Sequence, residues 1–179
     1  MQFNVAQLLK EPVGATREYE FHEDADILAE IPAVAPYVGK VRLVHLNEGI
    51  LATAELDTTI QLPCNRCLQP VEEPLHIEFV ETFRPSIDIT TGTAVPVDTE
   101  DESFTIDEHH ILDIIEAVRQ YALTMLPLQV LCREKCAGLC PTCGQDLNVA
   151  QCNCQAESVD PRLAALGRLL DEDNDKERS

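Results

Sequence analysis

Eight cysteines dominate the chemistry available to this 179-residue chain, and they fall in two places. Cys64-Asn65-Arg66-Cys67 supplies one pair. The other six lie within 23 residues, Cys132, Cys136, Cys140, Cys143, Cys152 and Cys154, in the spacing C-x3-C-x3-C-x2-C-x8-C-x-C. Clustered thiols in a reducing compartment hold metal more often than they form disulfides. Tetrahedral zinc takes four thiolates at about 2.3 Å. Cys140-Pro141-Thr142-Cys143-Gly144 suits that geometry: Pro141 fixes its own backbone, and Gly144 permits the positive φ that turns the chain under a metal. A segment this small has little room for another core, so a metal would supply its folding energy. Zinc is the expected cofactor.

The spacing alone leaves the ligand set open. Cys140 and Cys143 form the safest pair, completed either by Cys152 and Cys154 or by Cys132 and Cys136. The first completion is favoured, because Gln145 to Gln151 can make a compact turn that closes on the knuckle. Cys132 and Cys136 would then be spare thiols, or would join Cys64 and Cys67 in a second site. The Cys64/Cys67 pair has three readings: a metal half-site, two thiols packed at a turn or against a partner, or a redox pair. The redox reading is the weakest, since Leu68-Gln69-Pro70-Val71 leads into a strand and not into a helix N-terminus that would lower a thiol pKa. Arg66 between the two thiols is a candidate partner contact or an ordinary surface arginine. His109-His110 beside Asp107 and Glu108 reads as helix-start chemistry without a placed nucleophile. With no phosphate loop and no serine elbow either, an enzyme is not expected.

The elements that must position these residues show in the hydropathy pattern. Ala52, Ala54, Leu56, Thr58, Ile60 and Leu62 alternate with Thr53, Glu55, Asp57, Thr59 and Gln61, the period of a half-buried strand. Asn47-Glu48-Gly49 is a turn, with Val41, Leu43 and Val44 in the partner strand. Leu75, Ile77, Phe79 and Phe83 repeat the alternation, broken locally at Val80 and Glu81. Strands at about 50–62 and 74–83 therefore place Cys64 and Cys67 at the tip of a long hairpin. Upstream, Val5 to Lys10 predicts a short helical turn and Arg17 to Phe21 a strand, with Ile31-Pro32 and Ala35-Pro36 marking a connection. Residues 86–105 read as an acidic loop. Ile111, Ile114, Ile115, Val118, Ala122 and Met125 predict a helix over 108–125, with Asp107 as N-cap and Pro127 as the stop. A short helix from Asp160-Pro161 and a charged tail over 171–179 close the chain.

The expected class is α+β: an antiparallel β-rich core, as a partly closed sheet or barrel, with a packed helix and a small C-terminal cysteine-rich zinc module. The expected divisions are 1–126, 127–156 and 157–179. Met1-Gln2-Phe3-Asn4-Val5 lacks the pattern of a secretory signal, and no uncharged apolar run approaches the ~18–20 residues of a membrane span, so a cytoplasmic protein is expected. Thirteen Lys and Arg against 32 Asp and Glu give a formal charge of −19. That excludes a broad phosphate-binding face. The absence of Trp and the 5 Phe and 3 Tyr make a base-stacking platform unlikely to form.

Taken together, Leu62-Pro63-Cys64-Asn65-Arg66-Cys67-Leu68-Gln69-Pro70 after an alternating strand, Leu126-Pro127-Leu128, the run from Cys132 through Cys140-Pro141-Thr142-Cys143-Gly144-Gln145-Asp146-Leu147-Asn148, and the closing Cys152-x-Cys154 resemble the YceD-like family of large ribosomal RNA subunit accumulation proteins. The resemblance covers roughly residues 1–156. It implies a ribosome-biogenesis factor that supports synthesis or accumulation of large-subunit (23S) rRNA by binding, not by catalysis. The expected partner is a large-subunit ribosomal protein or a precursor 23S rRNA–protein complex, with no small-molecule substrate and no membrane. The alternative is direct rRNA binding through a small basic spot at Arg66 or Arg133/Lys135, or, more remotely, redox chemistry at the C-x-x-C pair.

Overall fold

Alternation in a strand has a consequence only if a second strand covers the same face, and the computed structural model, which describes residues 1–89, 91–95 and 104–154, supplies that pairing. Its elements are β1 (Gln2–Asn4), β2 (Thr16–Glu23), β3 (Tyr37–Leu46), β4 (Gly49–Pro63), β5 (Pro70–Pro85), β6 (Thr105–Ile106), β7 (Ile111–Asp113) and α1 (Ile115–Met125), with single 3-10 turns at Leu8–Lys10 and Ala25–Ile27. By contacts the chain forms two compact units. Among the described residues, one lies within Met1–Asn65 and Gln69–Cys132, and the other comprises Arg66–Leu68 and 133–154. The expected helix from Asp160 and the tail lie outside the described residues, as do 90 and 96–103 of the acidic loop.

In the first unit one sheet runs in the order β1-β7-β6-β5-β4-β3-β2, antiparallel except at the β5/β6 pair. It curls. Phe3 on β1 meets Tyr19 and Phe21 on β2, with ring centroids 5.0 and 6.4 Å apart, so the two edge strands touch through side chains. The β4–β5 ladder runs from Ile50 opposite Phe83 to Pro63 opposite Pro70. Ile50, Ala52, Ala54, Leu56 and Ile60 face inward with Leu75, Ile77, Phe79 and Phe83. Small Ala54 stands opposite large Phe79, and both are buried. Thr58 also lies in the buried row, and its hydroxyl donates to the Ala35 carbonyl at 2.7 Å, so no polar group is stranded there.

Two expectations need correction. The alternation of β5 is not broken at Val80 and Glu81. Val80 points outward, and Glu81 keeps the inward parity by accepting a 2.7 Å hydrogen bond from the Tyr121 hydroxyl, while Tyr121 stacks on Phe79 at 5.4 Å. The helix begins seven residues later than expected, at Ile115. Residues 105–113 form β6 and β7 instead, because Ile111–Asp113 pairs with the N-terminal strand β1. Asp107, read as a helix cap, accepts from the His109 and Ile111 amides at 2.9 and 2.7 Å and so closes the β6–β7 turn. Ile114 is the N-cap and has no side-chain cap, while Asp113 just before it accepts from the Ile115 amide at 2.9 Å. The helix stops at Met125, two residues before Pro127. Ala117, Val118 and Ala122 are its buried stripe.

The β3–β4 register depends on a glycine. A Cβ on Gly39 would lie 2.4 Å from the Glu55 carbonyl oxygen and 2.5 Å from the Leu56 Cβ, neither of which is the free end of a side chain. Gly39→Ala is expected to cost about 1–3 kcal/mol, read as a thermal midpoint lower by about 2–4 °C per kcal/mol. An unshifted melt would refute this close approach.

Candidate metal centre

The second unit holds one four-cysteine group entirely. The Cys140 amide donates to the Gln145 carbonyl at 2.8 Å, and the Gly144 amide returns to the Cys140 carbonyl at 2.9 Å. Gly144 has φ +74°, the turn that the Cys-Pro-x-Cys-Gly segment requires. Cys152 and Cys154 complete the set, and the four sulfurs lie within 4.8 Å of one another. A regular tetrahedron with arms of about 2.3 Å has edges of about 3.8 Å, so the sulfurs need only small rotations to enclose an ion. The Cys143 and Thr142 amides, with the Cys152 thiol, hold the Cys140 thiol down to about 6. Hydrogen bonding to Cys143, together with desolvation, pushes the Cys154 thiol up to about 12. Cys140 therefore ionises more readily than Cys152 and Cys154, whose protons a metal must displace.

Cys64, Cys67, Cys132 and Cys136 form a second group, again with sulfurs within 4.8 Å of one another. The Cys64 amide donates to the Gln69 carbonyl at 2.8 Å and closes the β4–β5 tip. Asn65 pairs with Val130 in both directions: its amide donates to the Val130 carbonyl, and its Oδ1 accepts from the Val130 amide, each at 2.8 Å. Arg66 is engaged at both ends. Its guanidinium donates to the Cys136 carbonyl at 2.9 Å, and its own carbonyl accepts from the Leu139 amide at 3.0 Å. Gly138, at φ +77°, passes so near that an added Cβ would sit 3.1 Å from the Arg66 carbonyl oxygen.

All eight cysteines therefore fall into two groups of four, each of which could hold a metal ion, and no disulfide joins any of them. Cys140 and Cys143 meet Cys152 and Cys154, while Cys132 and Cys136 meet Cys64 and Cys67. Spacing left that partition open, and the three-dimensional arrangement brings the cysteines together in these two groups. His109 and His110 stand on the β6–β7 turn, away from both groups in sequence and in role. The Cys64/Cys67 pair is followed by β5 and not by a helix.

Asn148 has a structural role that sequence spacing did not reveal. Its Oδ1 accepts from the Ala137 amide at 2.8 Å and from the Arg133 guanidinium, while Nδ2 donates to Asp146 at 2.8 Å and to the Cys136 sulfur at 3.4 Å. A donor to a ligating sulfur stabilises the thiolate and orients it. Asn148 stands just past the knuckle, and a polar side chain there among cysteines is the only sequence signal of this role.

A family model described as large ribosomal RNA subunit accumulation protein YceD matches residues 52–170. Among curated proteins, the uncharacterized protein YlbN of Bacillus subtilis is 28% identical over 97% of this chain and 96% of its own length. An uncharacterized protein of Mycobacterium tuberculosis is 30% identical over 98% of this chain and 84% of its own length. The Arabidopsis thaliana large ribosomal RNA subunit accumulation protein YCED homolog 1, described as chloroplastic, is 25% identical over 83% of this chain and 53% of its own length. No solved structure matches the chain. Among the described residues no helix is long and apolar enough to cross a membrane.

Removing the Asn148 side chain should loosen the second unit. Asn148→Ala is expected to cost about 1–3 kcal/mol for the polar groups left without partners. Amide hydrogen exchange over 133–149 should accelerate about 5- to 150-fold as a result. Exchange at the wild-type rate would rule out the role assigned to Asn148.

Proposed function

We propose that this chain, which belongs to the YceD family of large ribosomal RNA subunit accumulation proteins, acts as a non-catalytic binding factor that carries two zinc ions and engages a basic large-subunit ribosomal protein or an rRNA–protein intermediate. Four thiolates in each group are a soft, tetrahedral donor set, which suits zinc among the common divalent ions. Bound zinc would hold each group's two cysteine pairs together and supply folding energy to a segment with little apolar core. The residues named as ligands are Cys140, Cys143, Cys152 and Cys154 in one group and Cys64, Cys67, Cys132 and Cys136 in the other.

The observation that carries the binding reading is the outer face of β2–β5. Glu18, Glu20, Glu55, Asp57, Glu72 and Glu78 stand exposed there, against Lys40 and Arg42. Lys40 pairs with Glu55 at 3.0 Å, Arg42 with Glu18 at 3.7 Å and His76 with Asp57 at 2.7 Å, so the acidic side chains of this face outnumber its cations. A face of this sign steers positively charged partners and repels bare phosphate backbones. The direct-RNA alternative draws less support, since the Arg66 guanidinium already serves the Cys136 carbonyl and that of Arg133 serves Asn148. The family description points to ribosomal RNA accumulation and not to a catalysed reaction.

Mild crosslinking followed by native purification should recover large-subunit ribosomal protein or precursor 23S rRNA. Reversing the face with Glu20→Lys, Glu72→Lys and Glu78→Lys should cut that recovery at least about tenfold, roughly 1.4 kcal/mol. Recovery of neither class of partner would refute the reading. Recovery of RNA that survives charge reversal and falls steeply with salt would transfer support to direct RNA binding.

A further inference from the structure

Resting on the two-zinc reading above, we propose that the Cys140/Cys143/Cys152/Cys154 group is a reversible zinc-release site. Peroxide would open it at Cys143 and Cys154, while the Cys64/Cys67/Cys132/Cys136 group keeps its metal.

Two independent features separate the groups. The first is access. Cys143 and Cys154 are exposed, Cys152 is half-buried and only Cys140 is buried, whereas Cys64, Cys67 and Cys136 are only 0%, 4% and 2% exposed and Cys132 alone is open. An oxidant must reach sulfur to react, so susceptibility follows exposure and thiolate character. The second is charge. A zinc ion with four thiolates carries a net −2. Arg66, Arg133 and Lys135 flank the ligands of the buried group, and Asn148 donates to its Cys136 sulfur. From Ala137 to Cys154 there is no Lys or Arg, and Asp146 adds a further negative charge. The exposed group therefore has the more accessible sulfurs and no Lys or Arg beside its ligands in the sequence.

The chemistry balances with a peroxide as the oxidant. The Cys143 thiolate attacks one peroxide oxygen, forming an S–O bond and breaking O–O; the leaving hydroxide takes a proton and becomes water. The Cys154 thiolate, within 4.8 Å, then attacks the resulting sulfenic sulfur, forming S–S and expelling a second hydroxide, which is also protonated to water. Two thiolates lose two electrons, and the peroxide gains them. A zinc ion held there would keep only Cys140 and Cys152 as protein ligands and would be free to exchange into solvent. A dithiol reductant and free zinc reverse the change.

The test uses the zinc-loaded full-length chain. Native mass spectrometry counts zinc before and after hydrogen peroxide, a chromogenic chelator times its release, and alkylation with peptide mapping locates the disulfide. The expected result is two ions before and one after, with a disulfide confined to residues 140–154 and the count restored to two by dithiothreitol and zinc. Prompt loss of both ions at one rate, loss first from the Cys64 group, or retention of both would overturn the proposal alone. A chain that never binds two ions would overturn the two-zinc reading and the proposal with it.

Discussion

The register between β4 and β5 governs what this chain can place at its cysteines. Side chains alternate with a strict period of two, so a slip of one residue would turn Ile50, Leu56 and Ile60 from the core to water. At about 1.5–3 kcal/mol for each buried aliphatic side chain, those three alone amount to roughly 5–9 kcal/mol, comparable to the whole stability of an ordinary domain. The same register opposes Pro63 to Pro70 and leaves the Cys64-to-Gln69 hydrogen bond as the closure of the tip. Burial far down the hairpin thus fixes how the Cys64-Asn65-Arg66-Cys67 knuckle is presented.

Much of this was legible from residue order alone. The β4 alternation, the Asn47-Glu48-Gly49 turn, the hairpin-tip cysteines and the Gly144 knuckle each arise from interactions among near neighbours, which periodicity and turn chemistry record. The start of α1 was not legible. Ile111 and Ile114 sit at helical spacing from Val118, yet Ile111–Asp113 extends because β1, more than 100 residues earlier, pairs with it. Asp107 compounds the ambiguity, since an aspartate that caps a helix and one that closes a strand turn accept the same amides. The partition of cysteines was beyond spacing for a similar reason. Asn65 and Val130 meet across 65 residues, and nothing local to either announces it.

Charge has a different meaning at different places on the molecule. The formal −19 describes the whole chain, yet the outer face of β2–β5 neutralises part of its own acid through Lys40 and Arg42, and Arg119 holds the Glu116 carboxyl down to about 2 on the helix. Arg66 donates to the Cys136 carbonyl and Arg133 to the Asn148 side chain. The distribution matters more than the sum: an acidic sheet face is available, whereas Arg66 and Arg133, though exposed, are engaged in intramolecular hydrogen bonds.

The pairing of Asn65 with Val130 also has a temporal side. A chain made at about 5–20 residues per second presents Cys64 roughly 3–14 s before Cys132, because 132 − 64 = 68 residues separate them. During that interval the hairpin can zip, but its tip has only half of the sulfur set that it will eventually belong to. Completion of the group waits for Cys136, about three-quarters of the way along the polypeptide, so a truncated product stopping short of Cys132 would carry a finished hairpin and an unfinished group.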